Sequence, residues 1–209
     1  MIEKATKKQI VIILTLMLLM LCSCANGPDD YDAKTEASPA HLSDCAVITF
    51  NFEKQSGHAS NQFAVWIEDI DGNLMQTLYA TRFTANGGYK NRPDSIPTWV
   101  EKSNLASMSK SEADAITGAT PKSGELSYVW DLSDLTGNTV SHGEYRYFVE
   151  GSLRWKNRVL YTGIITVGDS PAATEPDVQF FYEASDNQPA LTADSPEISM
   201  ISDVGVAFK

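Results

Sequence analysis

The side chains able to do chemistry are few and poorly spaced for it. His41, His58 and His142 stand far apart, with no His-x-x-x-His or Cys-x-x-Cys pair in the chain. A zinc site takes about four ligands and is usually seeded by such a local pair, so no metal site is expected. Asp69-x-Asp71-Gly72-Asn73 has the opening of a calcium loop, but Ala80 stands where the bidentate carboxylate at loop position 12 belongs. An Asp-Gly turn between two alternating runs reads instead as a hairpin, since glycine takes the positive φ that such turns need. There is no Gly-x-Ser-x-Gly elbow and no phosphate-binding glycine loop. Acidic residues are too numerous for spacing to single out a catalytic carboxylate pair. With no complete catalytic set, the expectation is a non-enzymatic binding or scaffold module.

The elements around these residues are mostly strands. Leu126, Tyr128 and Trp130 alternate with Ser127 and Val129, and Tyr145, Tyr147, Val149, Leu153 and Trp155 alternate with Arg146, Glu150, Ser152 and Arg154. A period of two means strand, with one face packed and the other mostly wet. Ala46, Ile48, Phe50 and Phe52 alternate in the same way, and further strands are predicted at Gln62–Glu68, Leu74–Tyr79, Arg158–Val167, Val178–Tyr182 and Glu197–Phe208. Seven to eight strands on one core predict an all-β fold, an antiparallel β-sandwich over residues 44–209. A long hairpin, Glu144–Trp155 and Arg158–Val167, is expected to turn at Lys156-Asn157. Residues 82–124 interrupt the strand pattern as a long insertion of loop and short helix, with Pro97 opening a helix in whose first turn its missing N–H is not needed. Connections of this length are often functional or mobile. Trp66, Trp99, Trp130 and Trp155 could floor a sugar site, but alternating aromatics in a sandwich are first of all core.

The amino terminus carries an address. Lys4, Lys7 and Lys8 precede an apolar run from Ile10 to Leu21, too short to span a bilayer, for which about 20 residues are needed. A basic start, a short apolar core and small residues at its end make a secretory signal over residues 1–23. Residues 24–43 are rich in Asp, Ala, Ser and Pro and read as a disordered tether. Cleavage before Cys24 removes Glu3 and three lysines, taking the formal charge from −11 to about −13. So acidic a surface repels phosphates and argues against a nucleic acid partner. Cys45 is then the one remaining thiol, unable to make an internal disulfide, and is expected to be a small buried hydrophobe.

Four resemblances add to this. Leu21-Cys22-Ser23-Cys24 resembles the bacterial lipobox, which implies cleavage by the lipoprotein signal peptidase and acylation of Cys24, leaving a membrane-anchored lipoprotein. Ala25 after the cysteine implies the outer membrane by resemblance to Gram-negative sorting. The Trp130-Asp131, Asp134-x-x-Gly137 and Val140-x-x-Gly143-x-Tyr145-x-Tyr147 series resembles the immunoglobulin-like sandwich of flagellar hook-capping proteins, relatives that share a fold but no common chemistry. Asp114-Ala115-Ile116-Thr117-Gly118-Ala119-Thr120 resembles the signature at which bacterial FMN transferases attach FMN through a phosphoester. The resemblance implies Thr120 as acceptor and Asp114 as the upstream acid, with Gly118 and Ala119 adding little bulk as the segment enters the transferase. Pro121 departs from that pattern, and the same segment also reads as a Gly and Pro turn leading into the Leu126 strand. Finally, Ala64-Val65-Trp66-Ile67-Glu68-Asp69, Asp71-Gly72, Thr77-Leu78, Trp99, Thr117-Gly118-Ala119-Thr120 and the Trp130 stretch together resemble an uncharacterised family of predicted periplasmic proteins. That resemblance implies an exported sandwich and a link to membrane redox or flavin-trafficking systems, but no known reaction.

Overall fold

The computed structural model describes residues 45–209, so the signal, the tether, His41 and Cys24 lie outside the described residues. The fold is a sandwich of two sheets. Strands β1 (Ala46–Phe52), β2 (Gln62–Asp69), β3 (Leu74–Thr81), β4 (Thr117–Gly118), β5 (Gly124–Trp130), β6 (Gly143–Arg154), β7 (Asn157–Val167), β8 (Ala172–Ala173), β9 (Asp177–Phe181) and β10 (Ile201–Phe208) follow in chain order. The smaller sheet runs β10-β1-β5, and the larger runs β4-β3-β2-β6-β7-β8, with β9 also pairing β7. All pairings are antiparallel except the short parallel contact of β4 with Ala80 and Thr81 of β3.

The alternation seen in the sequence fills the space between the sheets. Ile48, Phe50, Phe52 and Trp130 from the small sheet meet Phe63, Val65, Ile67, Tyr147 and Val149 from the large one, all essentially inaccessible to water. Phe50, Phe63, Tyr79 and Tyr128 form a linked aromatic group, with centroids 5.0 Å apart for Phe63–Tyr79 and for Tyr79–Tyr128. Such offset and tilted contacts stabilise beyond their area burial. Trp130 meets Tyr145 edge-on at 5.2 Å, and its indole N–H donates to the Ser133 carbonyl at 2.9 Å. That bond ties the loop after β5 to the core.

Five expectations need correction. Trp155 is not a core residue: it is 40% exposed, with φ 50°, in the β6–β7 turn. The turn is Trp155-Lys156, and Asn157 belongs to β7, where its buried Oδ1 accepts the N–H groups of Glu183 and Leu191. The last strand starts at Ile201, because Pro196–Met200 is a 3-10 turn. Cys45 is half-buried beside the Lys209 carbonyl rather than buried.

The fifth correction concerns the wet face. β2 is buried on both sides, from Gln62 through Glu68. The insertion covers the outer side with α1 (Arg82–Ala85), α2 (Pro97–Lys102) and α3 (Lys110–Ala115). Ala64, Trp66 and Ala80 of the sheet pack there against Ala85, Ile96, Trp99 and Leu105 in a second apolar cluster. The insertion is therefore a third layer. Pro97 does open α2 as expected, at its first turn.

Polar groups of the large sheet hold this layer at both ends of α2. Glu150, fully buried on β6, accepts the N–H of Trp99 at 3.0 Å and of Thr98 at 3.3 Å, and pairs with Arg158 at 3.1 Å. The Arg158 guanidinium in turn lies 3.5 Å from the Phe181 ring centroid. Burial pushes the Glu150 carboxyl above the usual range, while the N–H groups of Trp99 and Thr98 and the Arg158 charge pull it down. At the other end, Lys102 donates to the Gly72 carbonyl at 2.7 Å and pairs with Glu68 at 3.0 Å. Glu68 also accepts the Trp66 indole N–H at 2.7 Å, and the Trp99 indole N–H donates to Thr77.

Candidate functional site

The insertion does not cover the large sheet completely. β4 pairs only with Ala80 and Thr81, so β3 from Leu74 to Thr77 has no strand neighbour on that side. β3 is also irregular against β2, with register shifts that leave Met75 and Leu78 unpaired. Bulges of this kind bend a strand and re-aim its side chains. Beside this stretch lies an open cleft of about 490 Å³, walled by the segment between α2 and α3, by α3 and by the loop between β5 and β6. The volume is that of a small-molecule site.

Its lining is amphiphilic. Leu74, Met108, Ile116 and Leu135 give it apolar walls, and Leu135 stands 65% exposed on the loop. Gln76 also lines it, and the Gln76 Oε1 is buried with no hydrogen-bond partner among the described residues. Glu112 and Asp134 add two carboxylates. Hydrogen bonds from the Ser109 side chain and backbone hold Glu112 below the usual carboxylate range, within the capping box that starts α3. Asp134 is held low mainly by the Thr136 hydroxyl and the Asn138 and Thr136 N–H groups, at 2.7, 3.0 and 2.8 Å. Both are therefore ionised at neutral pH, and among the described residues no lysine, arginine or histidine lines the cleft. Gln76, Met108 and Glu112 carried no signal in the sequence, and Ile116 and Asp134 stood there in motifs read for other reasons, because the cleft is assembled from three separate segments.

The Asp114–Thr120 segment is next to the cleft but not inside it. Ala115 and Ile116 line the cleft wall, and the chain then enters β4. Asp114 is exposed on α3, with its Oδ1 3.5 Å from the Asn86 amide nitrogen. Thr117 Oγ1 is buried without a partner among the described residues, and Thr120 is half-buried in irregular backbone after the strand. Tyr79 fixes the middle of the segment, its hydroxyl donating to the Ala119 carbonyl at 2.8 Å. A Cβ at Gly118 would come within 2.7 Å of the Tyr79 ring. Gly118 thus has a packing role independent of any modification. Gly118→Ala should displace Tyr79 from its aromatic stack and cost about 1–3 kcal/mol, the range for overpacking a filled site, read as a lower urea midpoint at unchanged slope.

The remaining candidates stay apart. His58 and His142 are exposed in separate loops, and among the described residues no group of three or more His, Cys, Asp or Glu side chains is placed to hold a metal ion. Asp69 and Asn73 close the hairpin, the Asp69 carboxylate accepting the backbone and side-chain N–H of Asn73 at 2.7 Å each, with Gly72 at φ 87°. Trp66, Trp99 and Trp130 are wholly buried and floor no surface site.

What the fold and cleft define is a β-sandwich with a structured outer layer and an open, acidic, amphiphilic groove. The chain belongs to the predicted periplasmic protein (DUF2271) family, whose model matches residues 46–179, from β1 into β9. It is accordingly an exported, periplasmic-type protein of a family without assigned function. Neither the curated proteins nor the solved structures give a match.

Proposed function

We propose that this chain is a lipid-anchored, non-enzymatic binding module of the cell envelope, and that the cleft beside β3 is its binding face. The cleft is the observation that carries the reading: a small-molecule-sized groove with apolar walls and one unpartnered buried acceptor, built by an insertion that is folded rather than loose. The test is direct. With methionine methyl groups labelled in the full chain, a panel of small amphiphilic aromatics, neutral and charged, should shift the Met108 resonance and leave Met200, buried in the sandwich core, in place. No member shifting Met108 would end the reading.

The anchor in this proposal is the acylated Cys24, made by the lipoprotein signal peptidase and acyl-transfer machinery, and Ala25 favours the outer membrane. Fatty-acid labelling should be lost in Cys24→Ala, and equal labelling of both forms would remove the anchor.

A second reading has an observation of its own. Tyr79 clamps Ala119 and leaves Thr120 half-exposed in irregular backbone, a position where a transferase can reach a hydroxyl. In this reading Thr120 carries FMN, and the chain passes electrons to membrane redox proteins, the isoalloxazine supplying the redox chemistry. Co-expression with an FMN transferase should then give a fluorescent band under denaturing conditions and an added FMN mass. A band that persists in Thr120→Ala, or no band at all, removes this reading.

A further inference from the structure

Taking the cleft as the binding face, we propose that its ligand class is the organic cation: a protonated amine carried on an apolar body. Among the described residues every charged group on its wall is a carboxylate, Glu112 from α3 and Asp134 from the β5–β6 loop, and no basic side chain lines it. Both carboxylates are fixed by local hydrogen bonds rather than by salt bridges, so their charge is not cancelled by a neighbouring cation. Lys102, the nearest candidate from α2, is already committed to Glu68 and the Gly72 carbonyl.

The Gln76 Oε1 adds an acceptor that the fold itself leaves unpaired. A buried acceptor without a donor is costly, and turning the Gln76 side chain into the cleft to meet a ligand N–H recovers that cost on binding. The apolar walls from Leu74, Met108, Ile116 and Leu135 then take the body of the ligand. An anionic ligand meets two like charges here and, among the described residues, only neutral donors such as Asn104 and Ser107 to offset them, which selects against it. The net charge of −11 points the same way, because an acidic surface raises the local concentration of cations.

Three probes of one shape decide the matter: phenethylammonium, phenethyl alcohol and phenylacetate, titrated into the full chain in nanodiscs of zwitterionic lipid, with the Met108 methyl as reporter. Phenethylammonium should bind about tenfold more tightly than the alcohol, as two partly exposed charge contacts imply, and this advantage should shrink as salt is raised. Phenylacetate should be weakest. Glu112→Gln together with Asp134→Asn keeps the local hydrogen-bonding geometry, since both amides retain an acceptor oxygen, and should bring the ammonium down to the alcohol. Equal binding of ammonium and alcohol, or an ammonium advantage that survives the double substitution, overturns the cation assignment while leaving the cleft as a binding face. Failure of all three probes overturns both.

Discussion

Trp130→Ala should lower the free energy of unfolding by about 3–5 kcal/mol, the range for truncating a fully buried large aromatic. The indole is wholly inaccessible, meets Tyr145 edge-on at 5.2 Å and anchors the following loop through the Ser133 carbonyl. Truncation therefore removes core volume, an aromatic contact and a loop anchor together. Domains of this size are stable by about 5–15 kcal/mol, so the variant should be close to unfolding at growth temperature. The control is Trp155→Ala, at a position 40% exposed in a turn, which should cost clearly less than Trp130→Ala because less of its apolar surface leaves water on folding and no closed cavity is left behind. Urea denaturation of both variants checks the pair, and a larger loss at Trp155 than at Trp130 would contradict the packing.

Glu150→Ala should cost about 3 kcal/mol, the lower end for breaking a buried ion pair, because Arg158 keeps 20% of its side-chain surface in water. The loss has a particular signature. Without the carboxylate the first N–H groups of α2 lose their acceptor, so amide exchange at Thr98 and Trp99 should accelerate more than exchange in β1 or β10. Glu150→Gln keeps one acceptor oxygen and should retain part of the protection. The pH dependence separates the two roles of the side chain. Burial raises the Glu150 carboxyl, so as pH rises above the ordinary glutamate value the unfolded chain releases this proton before the folded one does. The contribution of this group to stability is full below that value and shrinks as pH climbs through the raised one. Glu150→Gln should abolish that slope, and an unchanged slope would place its origin elsewhere.

The sandwich was legible because its inner faces are written in a two-residue period. Ala46, Ile48, Phe50 and Phe52, then Tyr145, Tyr147 and Val149, all pack where alternation puts them. The outer layer was not legible, and the reason lies in Glu150, Ser152 and Thr77. Their side chains are polar, so the face they occupy reads as wet, yet they are buried because they accept hydrogen bonds from Trp99, Ile96 and the Trp99 indole. A helix start on a sheet needs acceptors, and acceptors look like solvent-facing residues in one dimension. Trp155 failed for the opposite reason: it continues the alternation of β6 by one step, but the left-handed backbone at φ 50° has already turned the chain. The cleft was invisible for want of any local signal. Gln76, Met108 and Leu135 are each unremarkable where they stand, and only the fold brings them to one groove.

The burial of β2 on both faces has a consequence for how occupancy of the cleft would be felt. Trp66 lies under the insertion while Val65 and Ile67 face the sandwich core, so the outer layer cannot lift away without uncovering the strand on which the core is built. The two layers are expected to share one unfolding transition. Whatever sits between α3 and β3 is then linked thermodynamically to the whole domain: a ligand at about 100 times its dissociation constant adds about 2.7 kcal/mol to global stability. The occupied and empty forms of such a protein would differ less in shape than in lifetime.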